Sequence, residues 1–417
     1  MHLADTIPDE HGLGRTGLWL VGARGSVATT AIVGLAAITA RLAGPAGCVT
    51  AGDDFADAAL PGFHDLVVGG HDISHDTLVK RAEALVASGM LPANLLDGVR
   101  PRLAEIEAEL RPGYALPRGV GVESPGVAAD PAGHPAESQG DAARRLAHDI
   151  TDFRERHGLA RVVVVDVSST EALVELLPEH EDPDLLRAAL DDTARTVLPA
   201  SSVVAYAALL ARAPYAGFTP SAGMSLPVLT RTATELGVPV AGQDGKTGQT
   251  WLRTVLAPAF TSRGLRVLSW AGTNLLGGGD GATLADPEAV RSKLVSKNRG
   301  LVDLTGTTVT PLHIDNVPDL GDIKVAWDHV HVEGFLGSRA TLQTTWSAYD
   351  SMLAAPMVLD LARLLALADA TGHAGPVAEL GFFFKDPWGS EAHAFAEQAR
   401  TLVDWAAAAS ATLAARS

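Results

Sequence analysis

The chain writes nearly all of its cations as arginine: 26 Arg stand against six Lys, namely Lys80, Lys246, Lys293, Lys297, Lys324 and Lys385. Four of the six fall between positions 246 and 324. Arginine keeps its charge at any working pH, whereas lysine carries a compact ammonium whose pKa burial can lower, so this clustering points to proton transfer. Four segments gather the group: Gly242-Gln-Asp244-Gly-Lys246-Thr247-Gly-Gln-Thr250, Gly277-Gly278-Gly279-Asp280-Gly281, Arg291-Ser-Lys293-Leu-Val-Ser-Lys297 and Gly321-Asp322-Ile-Lys324. Lys293 and Lys297 are four apart and face one way on a helix. Lys324 opens a strand just after a Gly-Asp turn, and Asp244, Asp280, Asp322 and Asp350 supply counter-charges. Such a set suits a phosphorylated anionic substrate, with some lysines binding phosphate and others moving protons. A solvated charged face is the competing reading; glycine-rich and apolar flanks weaken it.

A second constellation sits near the N-terminus. Gly17–Val21 reads as a short buried strand, ended by Gly22-Ala-Arg24-Gly25-Ser26, and Ser26–Leu42 as a helix rich in small residues. Strand, glycine turn and helix form the context in which backbone N–H groups approach a pyrophosphate and a helix N-terminus favours its charge. An acid closing the next strand would hold a ribose. Asp53 and Asp54 are candidates, but Asp72 ends the more convincing strand, Asp65-Leu-Val-Val-Gly-Gly-His-Asp72. His71 and His75 lie four apart with His64 nearby. No partner carboxylate pattern accompanies them, so they read as solvent-facing histidines and no metal is expected.

Alternating elements must position these groups. Arg161-Val-Val-Val-Val-Asp166 is unbroken and apolar, as a central parallel strand should be, and ends in the polar run Val-Ser-Ser169-Thr170-Glu171. A hydroxyl-rich helix start follows at Pro199-Ala-Ser-Ser, and a Gly/Pro/Ala-rich stretch between about Pro112 and Gly140 reads as a surface excursion. After about Gly242 the pattern changes. Val325–Phe335 and Ala340–Trp346 alternate apolar and polar residues, an antiparallel hairpin signature. From Asp350 the helical period returns through Ala370, and a last helix runs from about Glu391 to Ala415. The fold class expected is α/β: a doubly wound parallel sheet over residues 10–245, completed by 350–417, with an antiparallel-rich α+β unit inserted at 246–349.

Composition narrows the class further. With 417 residues, 47% of them hydrophobic, the chain can bury a large core and is not disordered. A formal net charge of −17 argues against nucleic acid as a partner. One cysteine, Cys48, excludes a disulfide framework. Neither a secretory h-region nor a clean run of ~20 apolar residues is present, so a cytoplasmic protein with no membrane partner is expected.

Taken in order, ten segments resemble the myo-inositol-1-phosphate synthase (inositol-3-phosphate synthase) family: GARGSVATT (22–30), VVGGHDIS (67–74), VVVVDVSSTE (162–171), PASSVVAYAAL (199–209), FTPS (218–221), AGQDGKTGQT (241–250), GGGDG (277–281), RSKLVSK (291–297), GDIKVAWD (321–328) and DSMLAAPMVLDL (350–361). The resemblance implies a Rossmann domain joined to a catalytic, oligomer-forming domain, a homotetramer or homodimer, and tightly held NAD. It also implies a redox-neutral reaction. Oxidation at C5 of glucose 6-phosphate acidifies the C6 protons; removing one gives an enolate whose attack on the C1 aldehyde closes the ring, and the ketone is then reduced back.

Carried over by position, Gly22, Arg24, Gly25 and Ser26 would hold the pyrophosphate and Asp72 the adenine ribose. Ser169, Thr170, Asp244, Thr247, Asp280 and Ser351 would line the cofactor. The catalytic group would be Lys293, Lys297, Lys324, Asp322 and Asp350, with Lys385, shortly before Pro387, as a late active-site lysine. Lys246, Gly278 and Gly279, with Lys293, Lys297, Lys324 and Lys385, would contact the hexose 6-phosphate. Where the family has two asparagines before the aspartate of the third motif, this chain has Gly278-Gly279-Asp280, losing two amide side chains. The family also contains members that cyclise fructose 6-phosphate to five-membered rings, which is one alternative; a sugar-phosphate dehydrogenase releasing NADH, or a non-catalytic NAD-binding protein, are others.

Overall fold

The computed structural model describes residues 13–116, 137–277 and 300–416. Lys293, Lys297, Gly278, Gly279 and Asp280, and most of the loop expected between Pro112 and Gly140, lie outside them. The strands are β1 (Thr16–Val21), β2 (Leu66–Asp72), β3 (Leu110–Pro112), β4 (Arg161–Asp166), β5 (Tyr215–Gly217), β6 (Pro239–Gly242), β7 (Arg266–Leu276), β8 (Leu312–Asn316), β9 (Ile323–Glu333), β10 (Arg339–Tyr349) and β11 (Gly375–Pro376). The named helices are α1 (Ser26–Thr39), α2 (Leu78–Ala87), α3 (Ala93–Glu107), α4 (Gln139–His157), α5 (Pro183–Leu190), α6 (Ala200–Leu210), α7 (Pro227–Leu236), α8 (Gln249–Thr261), α9 (Asp350–Thr371) and α10 (Phe395–Ala414).

Seven parallel strands form one sheet in the order β11-β6-β5-β4-β1-β2-β3. β4 is its middle strand, as its unbroken apolar run predicted. Alternation sends Leu18, Leu20, Val163 and Val165 to one face and Trp19, Val21, Val162 and Val164 to the other. Each face then buries a helical layer: α1, α2, α3, α9 and α10 on the first, α4 to α7 on the second. Burial on both faces is what a parallel strand requires. The short β11 adds the C-terminal part of the chain to this sheet beside β6.

A four-stranded sheet follows, in the order β10-β9-β7-β8, antiparallel except for the β7–β8 pair. Helix α8 covers it, Ala257 packing with Val267, Trp270, Val330 and Val332. The predicted hairpin is β9–β10, turning through Gly334–Ser338, with Phe335 and Leu336 exposed at its tip.

Helix α9 has the length and apolarity of a membrane span, yet 72% of its apolar window is buried inside the fold. Its two mid-helix charges explain how it enters the core. Asp360 accepts from the backbone N–H of Val49 (2.8 Å) and Thr50 (3.1 Å), and Arg363 donates to the carbonyl of Pro61 (2.7 Å). The helix is a core element that clamps the chain between β1 and β2. Burial pushes the nearby Cys48 thiol up to about 12, so it is an inert core thiol.

Helix α1 ends at Thr39, three residues before the expected Leu42, because Arg41 turns into left-handed backbone (φ 58°). The histidine reading is corrected more fully. His71 lies on β2, not on a helix, and is buried; the Trp19 indole donates to its Nδ1 (2.9 Å) while its Nε2 faces Asp149 (3.1 Å). Burial lowers its pKa and keeps it neutral. It is a satisfied core residue.

Candidate active site

The first half of the site is the turn after β1. Gly22 has φ 76° and packs so closely on the next strand's exit that a Cβ there would lie 2.9 Å from the Cα of Ser168. Only glycine fits. Helix α1 then begins at Ser26 with no side-chain cap and no acid in its first turn, leaving its leading N–H groups for an external anion. Asp72, at the end of the neighbouring β2, accepts from the Arg24 N–H at 2.6 Å and from the Ser74 N–H at 2.6 Å. The carboxylate is thus fixed beside the glycine turn. Asp53 and Asp54 sit in an exposed turn instead. Ser169 and Thr170 follow β4 on the same edge of the sheet, where Glu171 ties the loop to α6 through the backbone N–H (3.1 Å) and hydroxyl of Ser201.

The second half is the loop between β6 and α8. Asp244 takes left-handed backbone (φ 62°), which a short polar side chain tolerates. Its N–H donates to the Thr219 carbonyl (3.2 Å), its own carbonyl accepts from the Lys385 N–H (2.8 Å), and its Oδ1 accepts from Lys385 Nζ (2.7 Å). At Gly245 a Cβ would fall 2.3 Å from the Phe218 ring, so this turn too is written for glycine. Two residues on, the Thr247 hydroxyl donates to Asp350 Oδ1 (2.7 Å), while Lys324 Nζ donates to Asp350 Oδ2 (2.9 Å). The register explains that meeting. Pairing of Lys324 with Ala348 and of Ile323 with Tyr349 puts the first residue of α9 beside the start of β9.

Two lysine–aspartate pairs, Lys324–Asp350 and Lys385–Asp244, are therefore held by one short loop. Enclosure by protein raises the Asp350 carboxyl, but the Lys324 ammonium, the Thr247 hydroxyl and the Lys385 charge together hold it well below the usual carboxylate range. Its negative charge is fixed at every working pH. Ser351 lies in the same first turn of α9, and Asp322 in the turn before β9.

Lys246 behaves differently. It is 4% exposed, and its ammonium donates to the Gln398 amide oxygen on α10 instead of to a carboxylate. Burial pushes it down to about 7. With Lys385 it lines a recess that Thr250, Arg253, Phe384 and His393 complete.

The sequence reading missed three parts of this arrangement. Gln398, 152 residues from Lys246, carries no local motif. Asp328, the last residue of the GDIKVAWD segment, collects four donors: Gln249 Nε2 (2.8 Å), Arg253 Nε (3.0 Å) and a terminal guanidinium nitrogen (2.6 Å), and the Trp270 indole (2.8 Å). Asn274 then donates to the Gln249 oxygen (2.9 Å), so this buried network locks the start of α8 to the four-stranded sheet. Asp166, fully buried, accepts from the Ser168 N–H (3.0 Å) and Tyr215 hydroxyl (3.1 Å) and shapes the exit of β4. Its place at the end of the central strand was the available signal.

A family model described as myo-inositol-1-phosphate synthase matches residues 16–406. The chain belongs to that family. The inositol-3-phosphate synthase 1 of Bacteroides thetaiotaomicron is 32% identical over 398 residues, covering 90% of each chain. The inositol-3-phosphate synthase 1 of Homo sapiens is 31% identical over 319 residues, which span 73% of this chain but 54% of the human protein. The crystal structure of inositol-3-phosphate synthase from Caenorhabditis elegans superposes with a TM-score of 0.83 at 24% identity, over 95% of this chain and 86% of that one, and shares the fold. As a member of the myo-inositol-1-phosphate synthase family the protein is an NAD-using, isomerase-type enzyme. The glycine turn, the uncapped start of α1 and the Asp72 carboxylate fit that nucleotide.

Proposed function

We propose that the enzyme converts a hexose 6-phosphate into a cyclitol phosphate without net redox change, D-glucose 6-phosphate giving 1D-myo-inositol 3-phosphate. The observation that carries this reading is the pair of Lys–Asp couples on one loop, at the carboxyl edge of the sheet that offers the nucleotide site. NAD held at the glycine turn and Asp72 would supply a hydride acceptor for C5, and the same hydride for the final reduction. Lys324, in its neutral amine form, accepts the proton of the C5 hydroxyl and so becomes the ammonium, then gives that proton back to the same oxygen. Asp350 fixes the Lys324 ammonium and offsets its charge. Lys385, steadied by Asp244, supplies the cation for developing negative charge on the sugar, and the uncapped N-terminus of α8 (Gly248, Gln249) suits the phosphate. Lys293 shares the proton traffic at the C5 oxygen and Lys297 contacts the phosphate or the enolate, with Asp322, Lys246, Gly278 and Gly279 around the substrate. Gly22, Arg24, Gly25, Ser26, Asp72, Ser169, Thr170, Asp244, Thr247, Asp280 and Ser351 line the nucleotide.

One observation favours a second reading of the substrate. Gly278 and Gly279 carry no side-chain amides where the family has two asparagines, and fructose 6-phosphate closing to a five-membered ring would place its groups differently. Both readings make residues 246–349 the catalytic and oligomerisation domain, with Asp244, Asp350 and Lys385 contributed from outside it. Assembly as a homo-oligomer is supported by β10, an eleven-residue edge strand that follows the exposed Phe335-Leu336 turn. Incubation with NAD and either hexose phosphate, followed by NMR of the product and absorbance of NADH, tests the proposal. A cyclic phosphate with no net NADH is expected. Net NADH accumulation would mean a dehydrogenase, and no product from either sugar would reject the reading.

A further inference from the structure

We propose that Glu107 sets the enzyme's preference for NAD over NADP, as an internal anion that already occupies the phosphate-binding equipment beside Asp72. The proposal rests on Asp72 being the ribose carboxylate. In this fold class an acid at the end of β2 binds the ribose hydroxyls of NAD, whereas an arginine nearby accommodates the 2′-phosphate of NADP. This chain has both. Arg24 donates its backbone N–H to Asp72, and its guanidinium extends over the loop after β2, donating to the Ser74 carbonyl at 3.2 Å. A helix N-terminus, a second phosphate-binding feature, stands at the same place in α2.

Glu107, the last residue of α3, takes up both. Its Oε1 pairs with the Arg24 guanidinium at 2.5 Å, and its Oε2 accepts from the N–H of Leu78, the first residue of α2, at 2.6 Å. The pair is mostly enclosed, with side-chain exposures of 13% for Arg24 and 26% for Glu107. Arg24 Nε is buried and has no hydrogen-bond acceptor among the described residues. The remaining cations of the loop are matched as well: Asp76 lies 2.5 Å from Lys80 and 3.9 Å from Arg81, whose Nε donates to the Arg24 carbonyl. Arg24, Lys80 and Arg81 thus stand against Asp72, Asp76 and Glu107, with no cationic surplus for a doubly charged 2′-phosphate. Removing the Glu107 charge creates that surplus at Arg24.

The test is direct binding of NAD and of NADP to protein freed of nucleotide with charcoal, measured by calorimetry. The parent should bind NADP at least about tenfold more weakly than NAD. In Glu107→Gln the NADP Kd should fall by about tenfold or more, with the NAD Kd within about threefold of the parent. Glu105→Gln, which frees the exposed Arg102 one turn away, should change neither. Adding Arg24→Met to Glu107→Gln should abolish the NADP gain. If the glutamine variant does not fold, Glu107→Ala is read the same way. The double variant Arg24→Met/Glu107→Met, which removes both ends of the pair, should bind NADP no better than the parent. Equal affinity of the parent for the two nucleotides, a folded Glu107 variant with an unchanged ratio, or an NADP gain in that double variant would each overturn the proposal. Failure of the parent to bind either nucleotide would instead overturn the reading of Asp72 and the glycine turn.

Discussion

Lys246→Met separates a buried ammonium from an ordinary one by the pH dependence of folding. The parent side chain is 4% exposed and meets an amide oxygen, and burial lowers it from 10.5 to about 7. Between those two values the unfolded chain binds a proton that the folded chain does not, so the stability of the parent rises with pH across the window. At about 1.36 kcal/mol per pKa unit, the lysine costs the fold about 4 kcal/mol near pH 7 and about 1 kcal/mol near pH 10. Methionine keeps the apolar stem and removes the charge, but leaves the Gln398 oxygen without its donor, at about 1–3 kcal/mol independent of pH. The variant should therefore be the more stable protein near neutrality, and the two curves should converge by about 3 kcal/mol, or cross, as the pH rises. Urea unfolding followed by tryptophan fluorescence, at fixed protein concentration and without nucleotide, reads both curves. A constant offset from about pH 6.5 to about pH 10 would show that Lys246 keeps an ordinary ammonium, and the desolvation argument would fall.

Lys324→Arg should retain fold and NAD binding yet lose the overall reaction by ~10²–10⁴ in rate, because guanidinium does not release a proton near neutral pH. Lys80→Arg, on an exposed pair with Asp76, should be nearly silent; turnover of Lys324→Arg within a few-fold of the parent would reduce the role of Lys324 to charge alone. Asp328→Asn should lower stability by about 3–5 kcal/mol, since Arg253, 3% exposed, would lose its buried counter-charge. Thermal melting checks it, and a shift of under about 1 kcal/mol would mean that Arg253 finds another partner.

What the sequence made legible was local. The β1–turn–α1 unit, the central position of β4 and the β9–β10 hairpin each follow from a short pattern whose period or punctuation belongs to one element. The placement of Asp72 at a strand end, unlike that of Asp53, was legible for the same reason: of the two, Asp72 ends a strand of the sheet. The encounters of Lys324 with Asp350 and of Lys385 with Asp244 were legible as charge balance but not as geometry, because they depend on the hairpin register and on the return of residues 384–385 to the β6–α8 loop. His71 shows a missed signal. It stands in a strand without polar alternation, and such a strand in a parallel sheet is buried on both faces, so a histidine there is a core residue. Glu107, Asp328 and Gln398 had no local signal at all, since their partners lie 83, 75 and 152 residues away and only packing brings them together.

The loop from residue 243 to 248 is where these long-range contacts converge. Its first part is pinned to residues 385–388 by backbone hydrogen bonds from Gln243 to Asp386 and from Lys385 to Asp244. Its middle is anchored by Lys246 to α10 and by the Lys246 N–H to the Phe383 carbonyl (2.8 Å). Its end is fixed by Thr247 on Asp350 and, one residue into α8, by Gln249 on the Asp328 network. A turn built on left-handed Asp244 and crowded Gly245 has little intrinsic preference for one conformation and would be mobile if left alone. Here every second residue is tied to a different part of the chain. Proton transfer needs donor and acceptor held within a few tenths of an ångström, and a segment over-determined in this way can supply that where a free loop cannot. The buried, partly neutral Lys246 is then intelligible as one of those ties: its ammonium is costly to bury, and what it secures is the position of the two carboxylates on either side of it.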